Sequence, residues 1–322
     1  WALFDAFLQE DSHIPFIQVM HEQSAVHMAD GYFRASGKPM ACSTSVGPGA
    51  ANTVIGLATA YVDSTSVFYV SGSPQTYMHG HGTMQEIERQ QDNAFGRITE
   101  QVTKRAWQAN SVKVLPSIMH RAFNEMMTGR PGPVHVEVPM DVQVEAADVT
   151  IHPLEKRLPI GVAHPDPKAI EAAVALLKTA ERPVIVAGGG AITANASDEL
   201  VALAEKLGAA VSITWNGKGA IPEDHAAFIG AVGQTGTTCG NQITAGADVV
   251  ISVGCRFTVY MPRHNQIQHS QTGDDGEKGR SEIVSQRLQA QLAKSTTAEI
   301  GSAGNNGRQD QGHHQHLKSI QE

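Results

Sequence analysis

The sequence predicts an α/β protein with two doubly wound parallel-sheet domains, followed by a disordered tail. Strand-like and helix-like segments alternate along residues 1–150, which favours a parallel sheet covered by helices on both faces. The alternation resumes at residue 168 and continues to residue 258. Residues 259–322 are rich in Gln, His, Ser and Gly, with isolated aliphatics, and such a segment buries too little apolar surface to fold.

The first domain is predicted from residue patterns along 1–150. The apolar run at 16–20 suits a short buried strand, and apolar residues at helical spacing predict a helix that begins near Glu22. A second strand over 40–45 is ended by Gly47-Pro48-Gly49, and a helix over 50–60 follows. Further on, the pattern predicts strands over 67–70 and 134–138 and a helix over 115–127. Ligand sites in open α/β sheets lie at the strand ends, which directs attention to Glu22 and the glycine corner.

The second domain begins after a linker. Four prolines and few apolar anchors mark residues 151–167 as that linker. Ser197 is a plausible N-cap for a helix over 197–207, because its hydroxyl could accept a hydrogen bond from the first turn. The remaining elements are a helix over 170–177 and strands over 183–187, 210–214 and 248–254.

Composition excludes several classes of protein. The 322 residues allow about two domains, and the net charge of −8 gives no basic surface for nucleic acid. Three cysteines far apart lack metal-ligand spacing, and their odd number argues against a disulfide framework, which fits a reducing cytoplasm. No apolar run reaches the ~18 residues of a membrane span.

Several motifs occur in a recognisable order. The segments 21–25 (HEQSA) and 28–34 (MADGYFR) are followed by Gly47-Pro48-Gly49 and Asn52, and later by 129–133 (GRPGP). In this order they resemble the pyrimidine-binding domain of thiamine-diphosphate enzymes, and the acetolactate synthase group is the most similar branch. The resemblance covers roughly residues 1–258. It implies that 1–150 is the pyrimidine-binding domain and that 168–258 is part of the family's central domain.

The resemblance implies a catalytic role for Glu22, as the glutamate that donates a proton to the aminopyrimidine ring of the cofactor. Burial in an apolar corner would favour the neutral acid that such donation requires. The alternative is a glutamate that only stabilises a helix N-terminus.

The glycine corner is the expected cofactor-binding segment. Gly47, Pro48 and Gly49 would let the backbone approach a flat ring, since glycine has no Cβ, and Asn52 could hydrogen-bond there. Thr44 and Ser45 are also predicted to bind cofactor. Val46 makes this segment one residue longer than the family form, which leaves the alignment of Thr44 and Ser45 open.

The resemblance also implies catalytic roles for Gln85 and Lys104. Gln85 would face the reacting end of the cofactor, and Lys104 would recruit 2-oxo acids near the substrate entrance. In both cases the alternative is an ordinary surface residue. His79 and His81 share the loop of Gln85, and without an evident third ligand they favour a flexible active-site loop over a zinc site.

Further expectations concern the complete protein. The family binds the diphosphate and Mg²⁺ in a third, C-terminal domain, so no metal ligands are expected here, and homodimers or homotetramers are implied. FAD could bind near Gly188-Gly189-Gly190. The start at Trp1 predicts an N-terminally truncated chain, with a processed or engineered start as the alternative. The change after Thr258 predicts a non-native tail in place of the missing domain, with a genuine low-complexity tail as the alternative.

The implied reaction is decarboxylation of a 2-oxo acid such as pyruvate, followed by carboligation to a second carbonyl. One alternative is another family activity, such as oxalyl-CoA or benzoylformate decarboxylase or sulfoacetaldehyde acetyltransferase, because Met84 stands where the synthase pattern usually has phenylalanine. The other is an inactive pyrimidine-domain fragment that only binds or assembles. Whatever the reaction, this chain alone is expected to be inactive.

Overall fold

The structure is a computed structural model that describes residues 2–9, 14–87, 95–151, 153 and 164–257. The predicted tail at 259–322 and most of the predicted linker lie outside these residues. The chain divides into two compact units between residues 163 and 164, which is inside the predicted linker. In the described part, no helix combines the length and apolar character needed to cross a bilayer.

The first unit contains a four-stranded parallel sheet. Its strands are β1 (Met40–Thr44), β2 (Val67–Ser73), β3 (Arg105–Gln108) and β4 (Val134–Pro139). Their order is β1-β2-β4-β3, and every pairing is parallel. The helices are α1 (Ala2–Gln9), α2 (Glu22–Ser36), α3 (Pro48–Ala51), α4 (Val54–Asp63), α5 (Phe95–Glu100), α6 (Leu115–Met127) and α7 (Met140–Val144).

Strand β4 shows why the sheet is buried on both faces. Val134, Val136 and Val138 alternate along it and pack into an apolar cluster with residues of α6. His135 points to the other face, where its ring stacks on Tyr69 at a centroid distance of 4.7 Å. Its two ring nitrogens lie 2.7 Å from the Ser71 hydroxyl and 2.8 Å from the Thr99 hydroxyl. The buried imidazole therefore has a partner at each nitrogen, as a buried polar group requires.

The strand predicted over 16–20 is absent from the structure. Residues 14–20 form no regular element, and Met20 is fully exposed, with a relative accessibility of 101%. An isolated apolar run becomes a strand only beside a hydrogen-bonded neighbour, and no described residue pairs with this one. The helix predicted over 50–60 is also divided, because Asn52 ends α3 and Thr53 is the N-cap of α4.

The second unit repeats the architecture. Its strands are β5 (Pro183–Ala187), β6 (Ala210–Ile213), β7 (Phe228–Ala231) and β8 (Val249–Val253), and its helices are α8 (Pro167–Leu177), α9 (Gly189–Thr193), α10 (Ser197–Leu207) and α11 (Thr238–Ala245). All pairings are parallel, in the order β7-β6-β5-β8. The prediction of two parallel-sheet α/β domains is therefore confirmed.

One local prediction for this unit is wrong, and a second, the flavin site, stays a prediction. The N-cap of α10 is Ala196 and not Ser197, which lies inside the helix, and no side chain caps this end. The glycines predicted to admit a flavin are accounted for by backbone packing. A Cβ on Gly188 would lie 2.3 Å from the carbonyl oxygen of Gly254, and one on Gly189 would lie 2.9 Å from that of Asn216. Close approach of neighbouring turns thus explains this run without a ligand.

The three cysteines are free and lie in different environments. Cys42 is buried in β1, and burial raises the pKa of its thiol to about 12. Cys255 is half-buried, and its Sγ lies 3.2 Å from the carbonyl oxygen of Val186. Cys239 is exposed on α11.

Candidate functional site

Glu22 is the first residue of α2. The preceding residue, His21, is the N-cap, and its Nδ1 accepts a hydrogen bond from the Gln23 amide at 3.2 Å. The positive end of the helix dipole favours a carboxylate in this first turn. The helix thus begins at the residue that the motif predicts, and it fixes the backbone position of Glu22.

Asn52 fixes the other end of that side chain. It ends the short helix α3, and its Nδ2 donates a hydrogen bond to Glu22 Oε2 at 3.0 Å. The two residues are thirty positions apart, so this contact joins the start of α2 to the turn after β1. The structure therefore brings together two of the predicted site residues.

The glycine corner lies between them. Gly47 has φ +62°, which favours glycine, and a Cβ there would lie 1.8 Å from the carbonyl oxygen of Gln85. A Cβ on Gly49 would lie 2.9 Å from Ser45 Oγ and 3.1 Å from Glu22 Oε1. Glycine at position 47 is therefore needed for the close approach of the Gln85 backbone, and Gly49 faces the Glu22 carboxylate.

The charge state of Glu22 differs from the sequence-based expectation. Its side chain is half-buried, and the hydrogen bond from Asn52 is the largest influence, lowering the pKa of the carboxyl below its usual range. Its own backbone amide and the nearby His21 act in the same direction, while partial burial opposes them. The ionised form is therefore favoured in this structure, because hydrogen bonds outweigh desolvation.

Thr44 and Ser45 occupy different environments. The Thr44 side chain is buried at the end of β1, with its hydroxyl 2.8 Å from that of Tyr69. Ser45 is exposed, and its hydroxyl donates to the carbonyl oxygen of Val46 at 3.2 Å. Thr44 thus anchors the corner to the core, and Ser45 is the one that lies near Gly49.

Gln85 lies on the far side of the corner, with its backbone against Gly47. Its own φ is +67°, which is uncommon for a residue with a side chain, and strain of this kind clusters at functional sites. Its neighbour Glu86 accepts hydrogen bonds from several loop amides. Sequence analysis missed Glu86, although an acid after a loop containing Gly80 and Gly82 is a signal that could have indicated it.

Lys104 is not part of this arrangement. It precedes β3, and its amide donates to the carbonyl oxygen of Pro133 just before β4, so it lies at the amino edge of the parallel sheet. The glycine corner follows the carboxyl end of β1. The Lys104 ammonium instead contacts the carbonyl oxygens of Glu125 and Thr128 at the end of α6. The structure gives this cation a helix-capping position and does not support the predicted place at the substrate entrance.

The histidine loop makes hydrogen bonds that the sequence did not predict. His79 Nε2 lies 3.0 Å from the carbonyl oxygen of Pro74, and the Asp141 carboxylate accepts from the Thr76 amide at the base of the loop. His81 is exposed. Within the described residues, no group of three or more His, Cys, Asp or Glu side chains could hold a metal ion.

Comparisons with known proteins identify the family to which the chain belongs. The family model described as the thiamine pyrophosphate enzyme N-terminal TPP binding domain matches residues 2–93, and the model of the central domain of the same enzymes matches residues 170–297. The chain therefore belongs to the thiamine pyrophosphate enzyme family and contains its N-terminal and central domains. The central-domain match extends beyond residue 258, where the sequence analysis had ended that domain.

Curated relatives indicate the branch of the family. The chain is 41% identical over 254 residues to the "Probable acetolactate synthase large subunit" of Methanocaldococcus jannaschii, covering 77% of this chain and 42% of the relative. It is 37% identical over 261 residues to the acetolactate synthase large subunit of Parasynechococcus marenigrum, covering 79% and 41%. The chain thus spans about four-tenths of the length of these relatives.

A solved structure shares the fold. It is described as a "putative thiamin diphosphate-dependent enzyme" from Mycobacterium smegmatis, with a TM-score of 0.65 at 23% identity. The similarity covers 80% of this chain and 48% of that one.

Proposed function

We propose that this chain supplies the pyrimidine-binding half of the active site of a thiamine-diphosphate-dependent enzyme similar to acetolactate synthase. The proposed reaction decarboxylates a 2-oxo acid, with pyruvate as the expected substrate, and joins the product to a second carbonyl. The observation that carries the proposal is the contact of Glu22 with Asn52 beside Gly49. The similarity to acetolactate synthase large subunits favours this branch over the other family activities.

The residues of the corner have distinct roles in this proposal. Thiamine diphosphate supplies a carbon that stabilises negative charge after decarboxylation. Glu22 holds the proton that is exchanged with the aminopyrimidine, and Asn52 orients its carboxylate through Oε2. Gly47 and Gly49 allow the backbone to approach the flat ring, and Gln85 faces the substrate side. A ring that covers Glu22 would desolvate the carboxylate and raise its pKa toward the value that proton donation needs.

The complete enzyme requires more than this chain's described residues. In this proposal the diphosphate and Mg²⁺ are bound by a further domain, the subunits pair as a homodimer or homotetramer, and the enzyme acts in the cytoplasm. FAD is left out of the proposal, because neighbouring backbone accounts for the glycines at 188–190.

Calorimetric titration with thiamine diphosphate and Mg²⁺ tests the proposal. The comparison is the wild-type chain against Glu22→Gln, which keeps the shape but not the charge of the side chain. Glu199→Gln in the second unit is the matched control. We expect at least tenfold weaker binding by Glu22→Gln and wild-type affinity in the control. Equal affinities for all three proteins would contradict the proposal, whereas binding by none of them would show that the half-site binds only together with the further domain.

A further inference from the structure

We propose that Glu86 is a positioning residue. Its carboxylate accepts hydrogen bonds from backbone amides of the loop over 79–86 and thereby holds Gln85 against the glycine corner. The inference rests on the proposed function only for the ligand that Gln85 faces. No motif in the sequence analysis assigned a role to Glu86.

The contacts of Glu86 carry the first step of this inference. Its Oε1 accepts a hydrogen bond from the Gly80 amide at 2.7 Å. Its Oε2 accepts from the Gly82 amide at 2.8 Å and from the Thr83 amide at 3.0 Å. Both oxygens are therefore used, and a single side chain satisfies three backbone donors of the loop. Hydrogen bonds to a charged acceptor are stronger than neutral ones, so the ionised carboxylate is well suited to this task.

The conformation of Gln85 carries the second step. Its φ of +67° is unfavourable for a residue with a Cβ, by about 1–2 kcal/mol. Such a conformation persists only where the surroundings fix it. Glu86 follows directly in the chain, so fixing its side chain onto the loop fixes the backbone of Gln85 as well.

The position of Gln85 carries the third step. Its carbonyl oxygen is packed against Gly47, the residue that begins the glycine corner. The base of the loop is held separately by the bond from the Thr76 amide to Asp141 at 3.0 Å. Glu86 therefore controls the part of the loop that carries Gln85, and the base does not depend on it.

The chemistry of the side chain suggests a sharp variant. In Glu86→Gln one carboxylate oxygen becomes an NH₂ group, which donates and cannot accept. The variant can therefore serve only one of the two sets of amides, although its size is unchanged. Glu145→Gln is the matched control, because Glu145 is an exposed glutamate that accepts one backbone hydrogen bond, from Val112.

The experiment measures amide hydrogen exchange and nuclear Overhauser effects in the full chain. For Glu86→Gln we expect at least tenfold faster exchange at the set of amides that loses its acceptor, which is either Gly80 or the pair Gly82 and Thr83. We also expect loss of the contact between the protons of Gly47 and residue 85. Sheet amides such as Val136 are expected to keep their protection. The control should keep both the loop protection and the Gly47 contact.

Rescue separates positioning from a general structural effect. Adding Gln85→Gly to Glu86→Gln should restore the contact with Gly47, because glycine adopts positive φ without help. Unchanged exchange and contact in Glu86→Gln, lost protection throughout the sheet, or no rescue would each overturn the inference. If the loop behaves as expected but Gln85→Ala binds thiamine diphosphate with wild-type affinity, the proposed cofactor role of Gln85 fails while that of Glu86 stands.

Discussion

At the scale of single residues, the site depends on positions that tolerate only glycine. Gly47 combines φ +62° with a carbonyl oxygen in the space of a Cβ, whereas Gly37, at the end of α2, has φ +69° and no atom within 4 Å of that position. Both glycines therefore have a positive φ, but only Gly47 has a neighbouring atom in the space that a Cβ would occupy.

This difference gives a prediction for Gly47→Ala. Gly37→Ala should lower the free energy of unfolding by about 1 kcal/mol, because only backbone strain is added. Gly47→Ala should lower it by about 3 kcal/mol, because the methyl group also displaces Gln85. Urea denaturation of both variants measures the costs. Equal losses would show that the contact between Gly47 and Gln85 contributes nothing.

At the scale of elements, cations hold the ends of two helices in the first unit. Lys104 contacts the last carbonyls of α6, and Arg130 donates to the carbonyl oxygens of Tyr61 and Val62 at the end of α4. A cation at a helix C-terminus satisfies unpaired carbonyls and complements the helix dipole. Lys104 and Arg130 thus stabilise helix ends, a structural role that their resemblance to a family motif did not indicate.

Lys104→Met tests which role this lysine has. We expect the free energy of unfolding to fall by about 1–3 kcal/mol, because two hydrogen bonds from a charged group are lost. Affinity for thiamine diphosphate should be unchanged. Lys113→Met, which removes an exposed lysine, is the control. Unchanged stability together with weaker binding of a 2-oxo acid would instead support the role at the substrate entrance.

The elements that could be predicted from the sequence are those whose own residues determine them. The apolar strand β5 and the helix α10 have the predicted bounds, since five consecutive apolar residues or a regular apolar stripe leave few alternatives. Strands β3 (RAWQ) and β7 (FIGA) were missed, because edge strands are short and take their structure from the neighbour they pair with. The strand expected over 16–20 failed for the converse reason, since no described residue pairs with it.

At the scale of the whole molecule, the first unit contains a histidine whose burial links stability to pH. Burial lowers the pKa of His135 to about 3, against 6.5 for an unperturbed histidine. Above pH 6.5 the side chain is neutral whether the chain is folded or not. Below it the unfolded chain binds a proton that the folded chain excludes, so stability falls as the pH falls from 6.5 toward 3.

The expected slope for this one group is about 1.4 kcal/mol per pH unit. His135→Gln should remove that slope, although the variant will be less stable at neutral pH because a packed ring is lost. His164→Gln, which changes an exposed histidine, should keep it. Unfolding free energies measured by urea between pH 6.5 and 4.5 decide the matter, and equal slopes in wild type and His135→Gln would contradict the prediction.

The candidate site was predictable in part, for physical reasons. Glu22, the glycine corner and Asn52 lie within about thirty residues, so a local motif contains them, and the structure brings them into contact. The lowered pKa of Glu22 was not predictable, because it results from a hydrogen bond across the corner and not from the helix alone. Likewise, the position of Lys104 at the opposite edge of the sheet follows from strand register, which residue spacing does not reveal.

The different environments of the three thiols have a practical consequence. Buried Cys42 is kept as an unreactive thiol, Cys255 is shielded, and Cys239 meets solvent on α11. Reaction with electrophiles requires the exposed thiolate, so a maleimide dye should attach first at Cys239. The natural sequence thus offers one addressable position for a fluorophore in the second unit, without any engineered cysteine.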